Sequence, residues 1–208
     1  MLDLEVNAFV QRLAAAVHAR GEPWIRDVVP ALGGLSLHFD PDFDGVIADV
    51  AAELVERCLK DGLPDAKEVG REVEVPVCYD RVFAPDLEEV AAKTGLSPEE
   101  VGTRHAAGEY RVLMIGFAPG HAYMSGLDAK LAMSRRAIPR AVVPMGSVAI
   151  ANEQTVIYPY AIAGGWNIIG RTPLTVFDAK REQPSLFAAG DRVRWRPISA
   201  AEFEGFGK

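Results

Sequence analysis

The amino-acid sequence predicts an α+β chain in two parts, a small α/β module followed by a closed or nearly closed β-barrel. Three observations predict it. The chain has 208 residues, one typical domain and a fraction of another. Its formal charge of −7 is unevenly spread: residues 1–104 hold 21 acidic and 10 basic side chains (net −11), residues 105–208 hold 8 and 12 (net +4). Helical and extended patterns alternate before residue 110, and after it only short apolar runs remain, punctuated by Gly and Pro. The composition, 49% hydrophobic and 25% charged, is globular rather than disordered, and the net negative charge argues against a general nucleic-acid binder.

In the first part, Val6, Phe9, Leu13 and Val17 recur at helical spacing, and Gly21-Glu22-Pro23 ends that helix. Residues 24–29 are an extended run, Gly33-Gly34 supplies a hairpin turn, and Leu35, Leu37 and Phe39 alternate with polar neighbours as in a half-buried strand. Ile47, Val50, Leu54 and Cys58 form a second helical stripe, and Val73, Val75 and Val77 alternate again. This helix–strand–strand–helix–strand order is the βαββαβ (ferredoxin-like) order lacking its first strand, so either an earlier start supplies that strand or the sheet has an open edge. The expected divisions are an α/β domain over 1–82, a helical linker over 83–108 and a barrel over 109–208. In the linker, Pro85-Asp86-Leu87-Glu88-Glu89 opens one helix with acidic residues in its first turn, and Ser97-Pro98-Glu99-Glu100 has capping-box spacing.

In the second part the expected strands are 110–117, 141–144, 147–151, 155–158, 166–169, 174–177 and 192–195. The long stretch 118–139 between the first two is expected to be a functional loop. It contains Gly120-His121-Ala122-Tyr123, where glycine lets backbone approach a ligand, followed by Asp128, Lys130, Arg135 and Arg136, with Arg140 just beyond. His, Tyr and several cations in one concave site suit a carboxylate or a phosphorylated intermediate, because Arg pairs bidentately with both. A solvated basic loop is the competing reading.

Other chemistries find little support. The segment Gly165-Trp166-Asn167-Ile168-Ile169-Gly170-Arg171-Thr172 has phosphate-loop spacing, but its Trp and Ile interior and the following Pro173 read as strand and turn. Met145-Gly146-Ser147-Val148-Ala149 lacks the second glycine of a serine-nucleophile elbow. His18, His38, His105 and His121 are scattered, with no pair at metal-ligand spacing, so no metal is expected. No apolar run approaches the ~18 residues of a membrane span, and the N-terminus has no signal-peptide pattern. Cys58 and Cys78 are expected as buried free thiols in a reducing cytoplasm.

The runs GFAPGHAYMSGLDAKL, RRAIPR, VPMGSVAIANEQTVIYP, GGWNIIGRTPLTVFD and AAGDRVRWRPI, together with EVPVCYD and DLEEVAAKTGLSPEEV upstream, resemble the bacterial 5-oxoprolinase B-subunit proteins, also called KipI or allophanate hydrolase subunit 1. The resemblance covers essentially the whole chain. It implies an N-terminal α/β domain followed by a cyclophilin-like β-barrel. It also implies two partners, a homologous β-rich C subunit (KipA-like) and a LamB/YcsF-like A subunit. Together these use ATP, whose site could lie in another subunit, to open the lactam of the small molecule 5-oxoproline to glutamate. A branch of the family inhibits a sensor histidine kinase, and a carboxyltransferase-type subunit that works on urea or a related amide is a third reading.

By motif position, His121, Tyr123 and Arg140 are the catalytic candidates, and Ser147, Gln154, Tyr158, Arg171, Gly120, Gly164 and Gly165 the substrate-binding ones, with Pro119 shaping a wall. The chain departs from the family pattern at His121, where relatives usually carry Phe, at Ser134, usually Pro, and at Ile162-Ala163, usually Ser-Pro.

Overall fold

The computed structural model describes residues 3–66 and 69–206. Contacts divide the chain into two units, residues 1–71 and 72–208.

The first unit holds α1 (Leu4–Arg20), β1 (Ile25–Pro30), β2 (Leu35–Phe39) and α2 (Ile47–Asp61). Asp3 caps α1 by accepting from the amides of Glu5 and Val6, and Gly21 ends it at φ 61°. The strands form an antiparallel hairpin, and Leu13, Val17, Leu54 and Cys58 pack together beneath it with Trp24, Val28, Leu35 and Leu37 around them. The buried face of α1 is rotated from the expected stripe: Val6 and Phe9 are exposed, while Asn7 and Gln11 are buried. Polar side chains take that face because they find partners there. Asn7 Nδ2 donates to the carbonyls of Ala31 and Leu32 at the hairpin turn, and Gln11 Nε2 donates to Asn7 Oδ1 at 2.8 Å.

The second unit starts earlier than the expected boundary at 82. Its first strand, β3 (Glu72–Val77), pairs in parallel with β11 (Arg192–Pro197), not with the N-terminal hairpin. The expected linker helices, α3 (Leu87–Thr94) and α4 (Pro98–Ala107), belong to the same unit: Leu87, Val90, Ala91 and Val101 pack on Ile150 and Ile169 of the barrel. Ser97 and Glu100 form the expected capping box.

The remaining strands are β4 (Tyr110–Ile115), β5 (Ala122–Ser125), β6 (Arg140–Val143), β7 (Ser147–Ala151), β8 (Gln154–Ile157), β9 (Ile162–Gly164) and β10 (Asn167–Arg171). Seven strands form one sheet in the order β10-β7-β8-β5-β4-β11-β3. Its two ends meet where Cys78 and Arg171 exchange backbone hydrogen bonds at 2.8 and 2.9 Å, which nearly closes the barrel. The stretch 118–139 is therefore not all loop, since β5 and a 3-10 turn over Ala129–Leu131 lie within it. Residues 174–177, expected as a strand, make only an isolated bridge, Phe177 to Ser185. A short helix α5 (Ala200–Gly205), capped by Ser199 and Glu202, follows β11. The core of the phosphate-loop-like segment is strand β10, paired antiparallel with β7, with the Arg171 amide donating to the Cys78 carbonyl and the Ile168 amide to the Asp86 carboxylate.

Strand β7 is buried at every residue, as a continuous apolar run in a sheet covered on both faces should be. Val148 joins the barrel interior with Tyr110, Met124 and Trp195. Ala149 and Ala151 face the other way, packing with Val156, Tyr158, Trp166 and Ile168 beneath Val143 of the separate β6–β9 ribbon. Cys58 and Cys78 are free and buried.

A polar chain crosses the interior. Tyr79 Oη lies 2.7 Å from His105 Nδ1, His105 Nε2 lies 3.0 Å from Thr155 Oγ1, and Thr155 Oγ1 donates to the Ala149 carbonyl. Because the Thr155 hydroxyl proton is used on Ala149, His105 must donate from Nε2 and accept the Tyr79 proton on Nδ1. Burial pushes the His105 pKa down to about 3 and raises that of Tyr79, so both stay neutral. An unfolded histidine titrates near 6.5, so between that value and about 3 the unfolded chain binds a proton that folded His105 refuses. Its contribution is complete above pH ~6.5 and is lost as pH falls toward 3, at about 1.4 kcal/mol per pH unit. Urea midpoints measured from about pH 8 to about pH 4.5 should fall below pH ~6.5, and the slope should be shallower in His105→Gln, which should also be less stable at neutral pH.

Candidate active site

The turn between β4 and β5 builds one side of a small cavity. Phe117 takes a positive φ of 70° and is exposed at the rim, a conformation that is strained for an aromatic residue. Gly120 follows at φ 76°, and a Cβ there would meet Phe177 Cβ at 2.6 Å, so the turn requires glycine. The turn closes through the His121 amide to the Ala118 carbonyl and the Gly116 amide to the His121 carbonyl, which sets the His121 ring at the cavity wall. Tyr123 lines it from β5 and Tyr158 from the end of β8. The rest of the lining is Arg135 and Pro139, with Gly164 at the end of β9 and Gly165 and Trp166 after it. The cavity, which is open to solvent on one side, has a volume of about 260 Å³, near the small end of ligand sites at ~300–1,000 Å³.

His121 sits in an aromatic cage, its ring 5.3 Å from Phe117, 4.9 Å from Tyr123 and 5.3 Å from Tyr158. It is 2% exposed, and Nδ1 has no hydrogen-bond partner of proper geometry among the described residues. Burial lowers its pKa to about 4, so at neutral pH the ring is uncharged and offers one donor and one acceptor. Burial also raises the phenol pKa of Tyr123, opposed by the charge of Arg135, and that of Tyr158, opposed first by a hydrogen bond to the Trp166 backbone and then by the nearby arginines; both remain hydroxyl groups. Gly164 is sterically required, since a Cβ would collide with Tyr158 Oη. Gly165 is not, because a Cβ there would touch Pro139 at an ordinary 3.5 Å; its carbonyl instead accepts the Arg136 amide at 2.8 Å.

The cation on this wall is Arg135, whose guanidinium lies 5.5 Å from the Trp166 ring centroid. Arg140, the expected catalytic arginine, is held elsewhere: Nη1 and Nη2 donate to the two carboxylate oxygens of Asp86 at 2.9 and 2.6 Å. Arg136 Nη1 donates to Asp86 at 2.8 Å and to Glu89 at 2.9 Å.

The structure thus brings His121, Tyr123, Tyr158, Gly164 and Gly165 together at one cavity, with Gly120 shaping its turn. Arg140, Ser147, Gln154 and Arg171 lie outside its lining. Ser147 serves the barrel through its carbonyl, which accepts the Tyr158 amide. Gln154 lies at the far end of β8, about 13 Å along the strand from Tyr158. Arg171 donates to the Met145 carbonyl at 2.8 Å and covers the Phe203 ring. Sequence reasoning did not single out Trp166 or Phe117, which look like core or turn residues, nor Asp86, which reads as an ordinary helix-start acid. Among the described residues no cluster of His, Cys, Asp and Glu could hold a metal ion, and no helix is long and apolar enough to cross a membrane.

Comparison with known proteins gives consistent results. The carboxyltransferase domain family, subdomains C and D, matches residues 1–187. The 5-oxoprolinase B subunit of Bacillus subtilis (strain 168) is 38% identical over 97% of this chain and 88% of its own length. That of Escherichia coli O157:H7 is 46% identical over 61% of this chain and 58% of its own.

Among solved structures, PH0987 from Pyrococcus horikoshii is 37% identical with a TM-score of 0.63, over 98% of this chain and 92% of that one. TTHA0988 is 38% identical with a TM-score of 0.81, and this chain, matched over 96% of its length, spans 38% of it. The Kluyveromyces lactis urea amidolyase shares the fold at 18% identity and a TM-score of 0.71, over 99% of this chain and 14% of that protein. On the extent and identity of these matches, the chain belongs to the 5-oxoprolinase B-subunit family.

Proposed function

We propose that this chain is the B subunit of an ATP-dependent 5-oxoprolinase, which opens the 5-oxoproline lactam to glutamate together with a LamB/YcsF-like A subunit and a KipA-like C subunit. The observation that carries the reading is the likeness to the Bacillus subtilis protein along nearly the whole chain, joined to a small, mostly neutral cavity with one cation on its wall.

5-Oxoproline is a compact ring carrying one carboxylate. Arg135 supplies a planar cation for the carboxylate, Tyr123 and Tyr158 supply neutral donors, and uncharged His121 hydrogen-bonds the lactam. A lactam is a poor electrophile, and coupling to ATP raises its reactivity. Donors preorganised around the ring would stabilise charge that develops on the lactam oxygen. The residues that line this cavity include one cation, Arg135, and the phosphate-loop-like segment is strand β10 rather than a glycine-rich loop opening a helix. ATP then belongs on a partner subunit.

Co-expression with the A and C subunits should give a complex that consumes 5-oxoproline only when ATP is present. A complete complex that is inert, but is restored by exchanging in an authentic B subunit, would sink the assignment. Consumption of urea instead, or inhibition of a sensor kinase's autophosphorylation, would move it to another branch.

His121→Phe should keep the fold, because the aromatic cage accepts a phenyl ring. It should lower kcat/KM about tenfold, the scale of one neutral hydrogen bond, with the melting temperature within a few degrees of wild type. Gly164→Ala should abolish turnover by forcing Tyr158 out of place, which a loss of detectable 5-oxoproline binding in calorimetry would register.

A further inference from the structure

Three arginines, Arg135, Arg136 and Arg140, lie within six positions of one another, yet only Arg135 lines the cavity. What separates them is Asp86. Its side chain is 3% exposed, and each hydrogen bond it makes ties down a piece of the cavity's outer wall. Oδ1 accepts from Arg136 Nη1 at 2.8 Å and Arg140 Nη2 at 2.6 Å, and Oδ2 accepts from Arg140 Nη1 at 2.9 Å and the Ile168 amide at 2.7 Å. Its own amide donates to the Ile168 carbonyl at 3.0 Å. Each anchored residue is one or two positions from a wall residue: Arg136 from Arg135, Arg140 from Pro139, Ile168 from Trp166. Asp86 stands at the N-cap position of α3 without capping it through its side chain. The carboxylate is turned away from the helix end, which a purely local role would have used.

We infer that Asp86 is a positioning residue for the reaction: by engaging Arg136 and Arg140 it leaves Arg135 as the arginine that faces the cavity, stacked on Trp166 to receive the substrate carboxylate. Secondary contacts hold the same arrangement. The Arg136 amide donates to the Gly165 carbonyl at 2.8 Å, and Asn167 Nδ2 donates to the Ser134 carbonyl at 3.0 Å, so the segment entering Arg135 is fixed on both sides. Without the carboxylate, Arg140 would be released beside the cavity and Arg136 held by Glu89 alone, and the cation would lose its fixed place over Trp166. The inference rests on the proposed 5-oxoprolinase reading for the identity of the carboxylate.

The test is a double-mutant cycle in the complete complex, with Asp86→Asn, Arg135→Gln and the double variant, assayed for 5-oxoproline turnover. Arg135→Gln should raise KM about 10–100-fold, the scale of a charge-assisted pair. Asp86→Asn should raise KM about tenfold with kcat within about threefold. The double variant should be no worse than Arg135→Gln alone, because Asp86 acts through Arg135. Arg140→Lys, which keeps the charge but loses the two-pronged fork, should reproduce the Asp86→Asn signature and serves if Asp86→Asn folds poorly. Asp86→Glu should restore part of the loss.

A second readout needs no substrate. The emission of Trp166, taken as the difference from Trp166→Phe, should shift in the same direction in Arg135→Gln and Asp86→Asn. Additive KM effects would overturn the inference, as would an Asp86→Asn protein with a lowered melting temperature but wild-type KM and Trp166 emission. A wild-type complex that never consumes 5-oxoproline would refute the substrate reading alone, and the Trp166 emission would then decide the positioning role by itself.

Discussion

A carboxylate held almost wholly out of water needs several donors to replace its hydration, and Asp86 finds them in two guanidinium groups and one backbone amide. Those donors come from three parts of the chain: the loop after the 3-10 turn, the start of β6, and β10. Around the same wall, the β6–β9 ribbon pairs Arg140 with Gly164, and Gly164 in turn leaves room for the Tyr158 hydroxyl. The ion cluster, the ribbon and the cavity are therefore one mechanical object. A fault in any one member propagates to the others, whereas exposed pairs elsewhere, such as Arg26 with Asp40, touch only their immediate surroundings.

The cavity's electrostatics follow from the same packing. Burial removes the charge from His121 and keeps both tyrosines protonated, so the field inside comes from Arg135 on the wall, with Arg140 acting on Tyr158 from behind it. A neutral site with one cation on its wall favours a singly charged small ligand over a polyanion, since a triphosphate would bring charge that the described wall does not balance. Size and charge point the same way.

Much of this was legible in the sequence, and the failures have physical causes. The run Val148–Ala151 reads as a strand because it is apolar on both faces, and the Trp and Ile residues within 165–172 override the phosphate-loop spacing there, where the fold has strand β10. His121 and Tyr123 stand out in the sequence because they follow a glycine in one turn, and Tyr158 by its motif position; the fold brings the three rings to one cavity. Strand β5 was hidden by its glycine-rich flanks, and the true face of α1 by Asn7 and Gln11, which are buried only because the hairpin turn offers them partners. The choice between Arg135 and Arg140 was not legible at all. Identical side chains a few positions apart differ only in which of them meets a carboxylate 54 residues away.

The parallel pairing of β3 with β11 also constrains how the barrel can form. Glu72 with Arg194 and Glu74 with Arg196 are ion-paired across 122 positions of sequence, and in a parallel pair no short turn can bring such partners together early. During synthesis β3 leaves the ribosome with its hydrogen-bonding edge unfilled, and it stays so until nearly the entire barrel has followed. The helical hairpin unit before it is built from neighbours in sequence and has no such wait. Closure of the barrel is thus deferred to the last stage of folding, and until then the valine face of β3 is a part of the nascent chain in need of shielding from other chains.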